Sequence, residues 1–519
     1  MLAMLGLALF IWDVLFDRTF LKNKMSRLLC IMLAVLLLSS LANIRYGIAK
    51  SARVLVWQTV LMLVMFPLCY RIREQKRGTF LVAVHTISSL VIIPAAIVSL
   101  YQFCFLISYS VDIDGDVLLQ GLHDGRLFGV FGSISFGCLF CAILCISSLY
   151  LAVRSKNILL RVLYCFESVV CIAYIILSDT RSVQVGLIAV VFVGSFVVCK
   201  RFLGRRVSNA LCKSLLCTAV AVFAVACGIG LYSLGKCQLR KIPVYIAYEY
   251  YNTTDKGSDT AVDTSGASSS VGNLDTDPDP LPDTTPETET DVIPDTTPGQ
   301  SPDTAPETEP EASDTGENES YDTQPPETDQ SPFDRLDSIP LERVDPEPGN
   351  ISNGRFRIWQ DYIDIMLSDV KVMLLGYGPG HYMDAIRENY PESFIVSKIR
   401  AYYPENYDRG IICDTHNAYL SIFVTCGVIG VIAMGAFLVC CAIKTFKYLL
   451  LTQRPSGYVL LLSVLLLMIL VVVFFVTDLF FICTDISMLF WIVGGFLLAE
   501  IDRNTNKDRN LPSHEHGTE

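Results

Sequence analysis

Apolar runs long enough to cross the roughly 30 Å hydrocarbon core of a bilayer recur eleven times along this chain, and no other feature constrains its folding as much. They fall near residues 1–16, 27–44, 53–70, 80–107, 131–152, 160–178, 183–199, 211–235, 418–443, 457–477 and 483–500. Inside lipid a chain must satisfy its own backbone polar groups, so each run reads as a transmembrane helix. The 80–107 run is long and contains Pro94, where a kink is expected. The first run lacks a basic n-region and a small-residue cleavage site, and reads as a span, not a signal peptide. The expected fold class is an all-α polytopic integral membrane protein with about eleven transmembrane helices.

Composition agrees once the charge is located. The 519 residues are 52% hydrophobic and 18% charged, with a mean hydropathy of +0.45, outside the range of soluble domains. The net charge of −12 comes from one segment: residues 253–349 hold 26 Asp and Glu against 3 Lys and Arg, while the rest has 37 basic and 26 acidic residues. A nucleic-acid partner is therefore not implied. The acidic segment is an imperfect Pro-Asp-Thr-x-Pro repeat, as in "PDTTPETETDVIPDTTPGQ". Such a composition buries too little apolar surface to offset chain entropy, so it is expected to stay disordered and solvated, as a spacer, a glycosylated stalk or a tolerated loop insertion. The organisation that follows is spans one to eight in 1–235 and a large loop at 236–417, then spans nine to eleven in 418–500 and a tail at 501–519. Within the loop, 253–349 is the insert and 350–417 the structured part.

Basic residues set the orientation. Clusters at Arg18/Lys22/Lys24/Arg27, Arg71/Arg73/Lys76/Arg77, Arg154/Lys156/Arg161, Lys200/Arg201/Arg205/Arg206 and Lys444/Lys447/Arg454 fall on alternate loops, which are therefore cytoplasmic. The N-terminus is then outside and the tail inside, with 109–130, 179–182 and 236–417 external. The eighteen cysteines sit mostly within spans as small apolar side chains. Only Cys237 and Cys413 fall in the large loop, where a disulfide could close its base. No Cys/His set has zinc spacing. "DIDGD" at 112–116 fails as a calcium loop, because Gly115 comes too early and His123 stands where Glu is required. No cofactor or metal is expected.

Against the positive-inside bias, the external side carries Arg126, Arg181, Arg355 and Arg357 close to apolar segments. Arg355 opens "RFRIWQDYIDIML", whose Ile358, Tyr362, Ile365 and Met366 form one helical stripe. "GYGPG" follows, where Gly376, Gly378 and Gly380 would either form a simple turn or let backbone approach a phosphate. His416, in "CDTHNAYLSIFVTCGVIG", stands where the loop meets span nine, with Asp414 or Thr415 expected to cap that span. Guanidinium groups suit bidentate phosphate binding, and His416 titrates near neutrality. His381 and His123 are weaker alternatives. These groups suit attack of a hydroxyl on a carbon that bears a diphosphate leaving group.

These blocks resemble the O-antigen ligase and polymerase family. The family pattern has an Arg-x-x-x-Trp segment, a Gly-x-Gly-x-Gly turn, and His-Asn-x-Tyr-Leu leading into a Gly-x-x-Gly helix. Here these are Arg355/Trp359, Gly376/Gly378/Gly380, His416/Asn417/Tyr419/Leu420 and Gly427/Gly430. "GRLFGVFGS" at 125–133 and "TRSVQVGL" at 180–187 are similar to earlier family blocks. The resemblance implies a metal-independent inverting glycosyltransferase of the bacterial cytoplasmic membrane, with its active site on the external side. Its partners would be membrane lipid, an undecaprenyl-diphosphate-linked glycan donor, and a glycan or glycolipid acceptor. By carry-over His416 is the base and Arg181 and Arg355 clamp the diphosphate, with Arg126, Trp359, Asn417, Gly378 and Gly380 also lining the substrate site. Family members commonly have about twelve spans, which a further span upstream of residue 1 would supply. The competing readings are a polytopic transporter of an anionic solute and a receptor or structural protein with an acidic stalk. The spans' ionisable residues are few, mainly Asp13, His85, Glu167 and Asp478.

Overall fold

The computed structural model describes residues 24–46, 49–66, 69, 74–113, 116–203, 209–258, 341, 354–452, 455–476 and 485–510. The expected span at 1–16, nearly all of the 253–349 insert and the end of the tail lie outside these residues. The chain divides into a main unit, 1–248 with 323–519, and a second unit, 249–322; the main unit is described here. In chain order its helices are α1 (Lys24–Ala42), α2 (Ala49–Thr59), α3 (Glu74–Cys104), α4 (Ile134–Arg154), α5 (Ile158–Ser178), α6 (Arg181–Leu203) and α7 (Ala210–Leu239), after which α8 (Ile242–Ser258) runs into the second unit. The loop region then gives α9 (Arg355–Leu367), α10 (Val370–Leu375), α11 (Tyr382–Asn389), α12 (Phe394–Tyr402) and α13 (Pro404–Asp408), and the chain returns through α14 (Ala418–Leu451), α15 (Gly457–Val476) and α16 (Asp485–Asn510).

Among the described residues eight helices are long and apolar enough to cross a membrane: α1, α3 from Gly78, α4, α5, α6, Ala210–Tyr250, α14 and α15. The chain is thus a helical polytopic membrane protein. Two expected spans take other forms. The 53–70 run begins as α2 and passes into a π-helical stretch, Val60–Met65. The 483–500 run is the apolar half of α16, which continues to Asn510 and buries Trp491, Phe490 and Phe496 against the bundle. Pro94 lies inside α3.

The helical fold carries one short sheet. Between α3 and α4 the chain forms an antiparallel sheet in the order β1 (Ser108–Ile113), β2 (Asp116–His123), β3 (Arg126–Gly129). Asp124 and Gly125 both have positive φ, 49° and 66°, the backbone that a two-residue Asp-Gly hairpin turn needs to match strand twist. Leu122 and Leu127 are buried beneath it. Of the rejected calcium loop, Asp112 and Ile113 end β1, paired to Val117 and Asp116 at the start of β2.

A second hydrophobic core packs under the loop helices. The stripe Ile358, Tyr362, Ile365 and Met366 is the buried face of α9, and it joins Ile386 of α11, Ile395 of α12 and Val424 of α14. Polar links fall into two ends of the bundle. At one end Lys444 pairs with Asp502 at 2.5 Å and the Lys200 ammonium bonds the Leu450 carbonyl. At the other, Lys50 pairs with Asp384, Asn43 bonds the Gly376 carbonyl and Arg240 bonds the Gly125 carbonyl.

The helix α14 is broken. Gly427 takes φ 62° and ψ −166°, which releases helical carbonyls just before it. The glycine turn after α10 uses them: Tyr377 N–H donates to Val424 O and Gly378 N–H to Thr425 O, both at 2.9 Å. Ser39 Oγ of α1 also donates to Thr425 O, at 2.7 Å. Irregular backbone at membrane depth is tolerated where protein surrounds it in this way. The two glycine backbones touch so closely that a Cβ on Gly376 would lie 2.3 Å from Thr425 C, and one on Gly427 2.3 Å from Leu374 C.

Candidate functional site

The site is built where 411–417 meets α14. Asn417 caps that helix: its Oδ1 accepts from Tyr419 N–H at 2.9 Å and Leu420 N–H at 3.1 Å. Asp414 and Thr415, expected as caps, do other work. Asp414 Oδ1 accepts from Thr415 N–H and Tyr382 OH, and Thr415 is buried with its carbonyl bonded by Trp359 Nε1 at 2.9 Å. Fully buried Tyr362 donates to the Cys413 carbonyl at 2.6 Å. The segment is therefore tied to α9 and α11 residue by residue. At its end His416 adopts φ 47°, a left-handed backbone that costs about 1–3 kcal/mol and persists only when the surroundings over-determine it.

The His416 ring is half-buried and hydrogen-bonds the backbone of Val476 at the end of α15. Burial pushes its pKa below the ordinary imidazole value; Asp414 pulls against this, and the Arg355 guanidinium and Lys398 ammonium add to the lowering. The lowered pKa favours the uncharged ring, whose free nitrogen can accept a proton, with a guanidinium near enough to act on its charge. Arg357, the next basic residue of α9, stacks instead on Phe394 with its Cζ 4.0 Å from the ring centroid.

A second cationic group surrounds the turn between α5 and α6. Asp179 holds a left-handed backbone, φ 50°, and its carboxylate pairs with Lys236 at 2.7 Å and lies 3.8 Å from Arg240. Gln184 and Tyr232 also donate to it. Burial pushes the Asp179 carboxyl up, but Lys236, Gln184 and Arg240 outweigh it and hold the group below its ordinary value. Arg126 reaches the Ser178 carbonyl, one residue before Asp179, and Arg181 opens α6 two residues after it. The helix that this turn opens, α6, packs against α15, whose last residue Val476 bonds His416. Gly186 of α6 packs on Met468 and Val472 of α15, and at about 1.5 Å per residue Arg181 and Val476 emerge at similar height.

Arg355 lies within electrostatic reach of His416, and Arg126 bonds the Ser178 carbonyl three residues before Arg181. Trp359 and Asn417, assigned to the substrate site, have structural duties there: the indole braces the Thr415 carbonyl and stacks edge-on against Phe474, and the amide oxygen caps α14. Gly378 and Gly380 are not beside the histidine. The glycine turn meets α14 at Val424, seven residues and about 10 Å along the axis from Asn417. The Gly378 N–H is engaged with Thr425 O, and Gly380 packs on Lys50, so the close approach these glycines permit is to the chain's own backbone.

His381 is buried behind the turn, 3.8 Å from Asp384, and His123 is tied into the hairpin through the Gln120 carbonyl at 2.8 Å. Cys237 and Cys413 are both free, because Cys413 is buried in the loop core while Cys237 is exposed on α7. Sequence reasoning passed over Lys236 and Arg240, although their four-residue spacing on one helix face at the end of an external-going span was a visible signal. Among the described residues no group of three His, Cys, Asp or Glu is arranged to hold a metal ion. Comparison with protein-family models, with curated proteins and with solved structures finds no match to the chain.

Proposed function

We propose that this chain is a membrane glycosyltransferase of the O-antigen ligase or polymerase type, acting at the outer face of the bacterial cytoplasmic membrane. The observation that carries the reading is His416: an imidazole of lowered pKa, fixed in a strained backbone at the end of a spanning helix, with Arg355 in electrostatic reach. In the reaction, a sugar hydroxyl of the glycan or glycolipid acceptor attacks the anomeric carbon of an undecaprenyl-diphosphate-linked glycan. The new C–O bond forms as the bond to the diphosphate breaks, with inversion, and the hydroxyl proton passes to His416. Arg355, Arg181 and Arg126 supply fixed positive charge for the departing diphosphate, and no metal ion takes part in the step. Lys236 and Arg240 add to the same field.

Deleting the gene and separating surface glycans on a gel tests the reading. Loss of long chains with short units still on the acceptor indicates a polymerase. Loss of all transferred glycan, with lipid-linked chains accumulating, indicates a ligase. Unchanged glycan contradicts both. A second reading, a transporter of an anionic solute, is favoured by the buried pairing of His85 with Glu167 inside the spans; it predicts normal glycan and lost solute uptake.

A further inference from the structure

Away from His416, two ionisable side chains meet inside the spanning bundle. His85 of α3 and Glu167 of α5 are both buried, and His85 Nε2 lies 3.0 Å from Glu167 Oε2. The other ring nitrogen, Nδ1, is 3.0 Å from Ser147 Oγ of α4. Ser89 donates to Glu167 Oε1 at 2.5 Å and Ser148 to Oε2 at 2.8 Å.

Counting donors fixes how many protons the pair carries. Ser147 donates its single hydroxyl proton to the Leu144 carbonyl, so towards the ring it can only accept, and Nδ1 must carry a proton. Both carboxylate oxygens receive hydroxyl donors. The remaining link, Nε2 to Oε2, needs one proton between two acceptors. With it the pair is an imidazolium–carboxylate of zero net charge; without it a buried carboxylate is left carrying a net charge of −1. Ionisable groups at this depth are expensive and rarely idle.

His85 also lines two cavities. One, of about 270 Å³, lies between α3, α4, α15 and α16 and is lined by His85, Ser147 and Ser88. The other, of about 350 Å³, lies between α3 and α5 and is lined by His85, Glu167, Ser89 and Thr86. Nδ1 therefore addresses the first cavity through Ser147, and Nε2 the second beside Glu167. From α5 the facing titratable groups are Glu167 and Tyr164, whose ring is edge-on to His85 at 5.3 Å. From α4 the two serine hydroxyls face the pair; across the first cavity α15 presents Tyr458, and α16 presents apolar side chains. Among the described residues no other charged side chain lines either cavity.

We propose that His85 and Glu167 form an intramembrane proton-binding site that holds one exchangeable proton between Nε2 and Oε2. Release converts imidazolium–carboxylate to neutral imidazole and carboxylate plus a free proton, and uptake reverses it. The site stands apart from the transfer chemistry and does not depend on it. The test uses the full-length chain in lipid bilayers with ¹⁵N-labelled histidine, following the ring nitrogens by solid-state NMR from about pH 5 to about pH 9. A His85→Asn sample assigns the signals. The expected result is that both His85 nitrogens are protonated at the acid end, with Nε2 losing its proton as the pH rises, and that this titration is displaced or abolished in Glu167→Gln. Ring nitrogens that keep one state across the whole range in the wild-type chain would show a fixed structural ion pair and overturn the proposal. So would a titration that Glu167→Gln leaves unchanged. The wild-type titration decides even where a variant fails to accumulate.

Discussion

Replacing Gly427 with alanine should unlock the junction that places the loop core on the membrane bundle. The added Cβ would sit 2.3 Å from both Leu374 C and O and 2.5 Å from Leu375 N. These are backbone atoms, so no rotamer change relieves the overlap. An L-side chain at φ 62°, ψ −166° adds roughly 1–3 kcal/mol of strain, and forcing the segments apart costs about the same again. Separation also stretches the Tyr377–Val424 and Gly378–Thr425 hydrogen bonds, each contributing about 0.5–1.5 kcal/mol. The expected destabilisation is therefore on the order of 3–9 kcal/mol. Thermal unfolding in mild detergent, followed by the reaction of buried cysteines with a thiol dye, should show a midpoint lower by on the order of 5 °C or more. Gly435 lies in the same helix, and a Cβ there would meet nothing within 4 Å; Gly435→Ala should instead be neutral or stabilising by up to about 1 kcal/mol. Equal midpoints for Gly427→Ala and Gly435→Ala would refute the interlock.

Three further outcomes are expected. Tyr362→Phe leaves the buried Cys413 carbonyl without its donor and should lower stability by about 1–3 kcal/mol in the same unfolding assay, with little effect on abundance. Asp179→Ala removes the carboxylate that Lys236 and Arg240 share; because Lys236 keeps 30% side-chain exposure, the loss should be roughly 1–3 kcal/mol, below the value for a fully buried pair. For His416, whose pKa lies below the ordinary imidazole value, transfer should be level at neutral pH and fall only as the pH drops through that lowered pKa. Removing a raising influence with Asp414→Asn should move the midpoint of the pH–rate profile further down, and removing a lowering one with Arg355→Gln should move it up.

Much of the fold was legible because apolar length and helical period are local signals. Eight of the expected spans stand as apolar helices, and the Ile358–Tyr362–Ile365–Met366 stripe is the buried face of its helix. The β-hairpin was missed although Asp124-Gly125 announced it, because residues 109–130 read simply as loop between spans. The glycine turn leaves a simple turn and an approach to phosphate both open in the sequence, because glycine permits any close approach and sequence does not say to what. Its partners are distant: Asn43 meets Gly376 across 333 positions and Ser39 meets Thr425 across 386. The same holds for His85 and Glu167, each visible as an oddity within a span but not as a pair. Arg355 and His416 were singled out by charge and position, whereas the left-handed backbone of His416 and the bracing by Trp359 depend on three-dimensional packing.

The central claim, that His416 is the base of a glycan transfer, is tested most directly by His416→Ala. Transfer from a lipid-diphosphate-linked glycan to its acceptor would be timed in membranes containing the variant at wild-type abundance. The rate should fall by on the order of 10²–10⁴, the usual contribution of general-base catalysis, while the unfolding midpoint falls only slightly, because alanine keeps the Cβ that makes φ 47° unfavourable and loses one hydrogen bond, to the Val476 backbone. Near-normal transfer by His416→Ala would contradict the assignment.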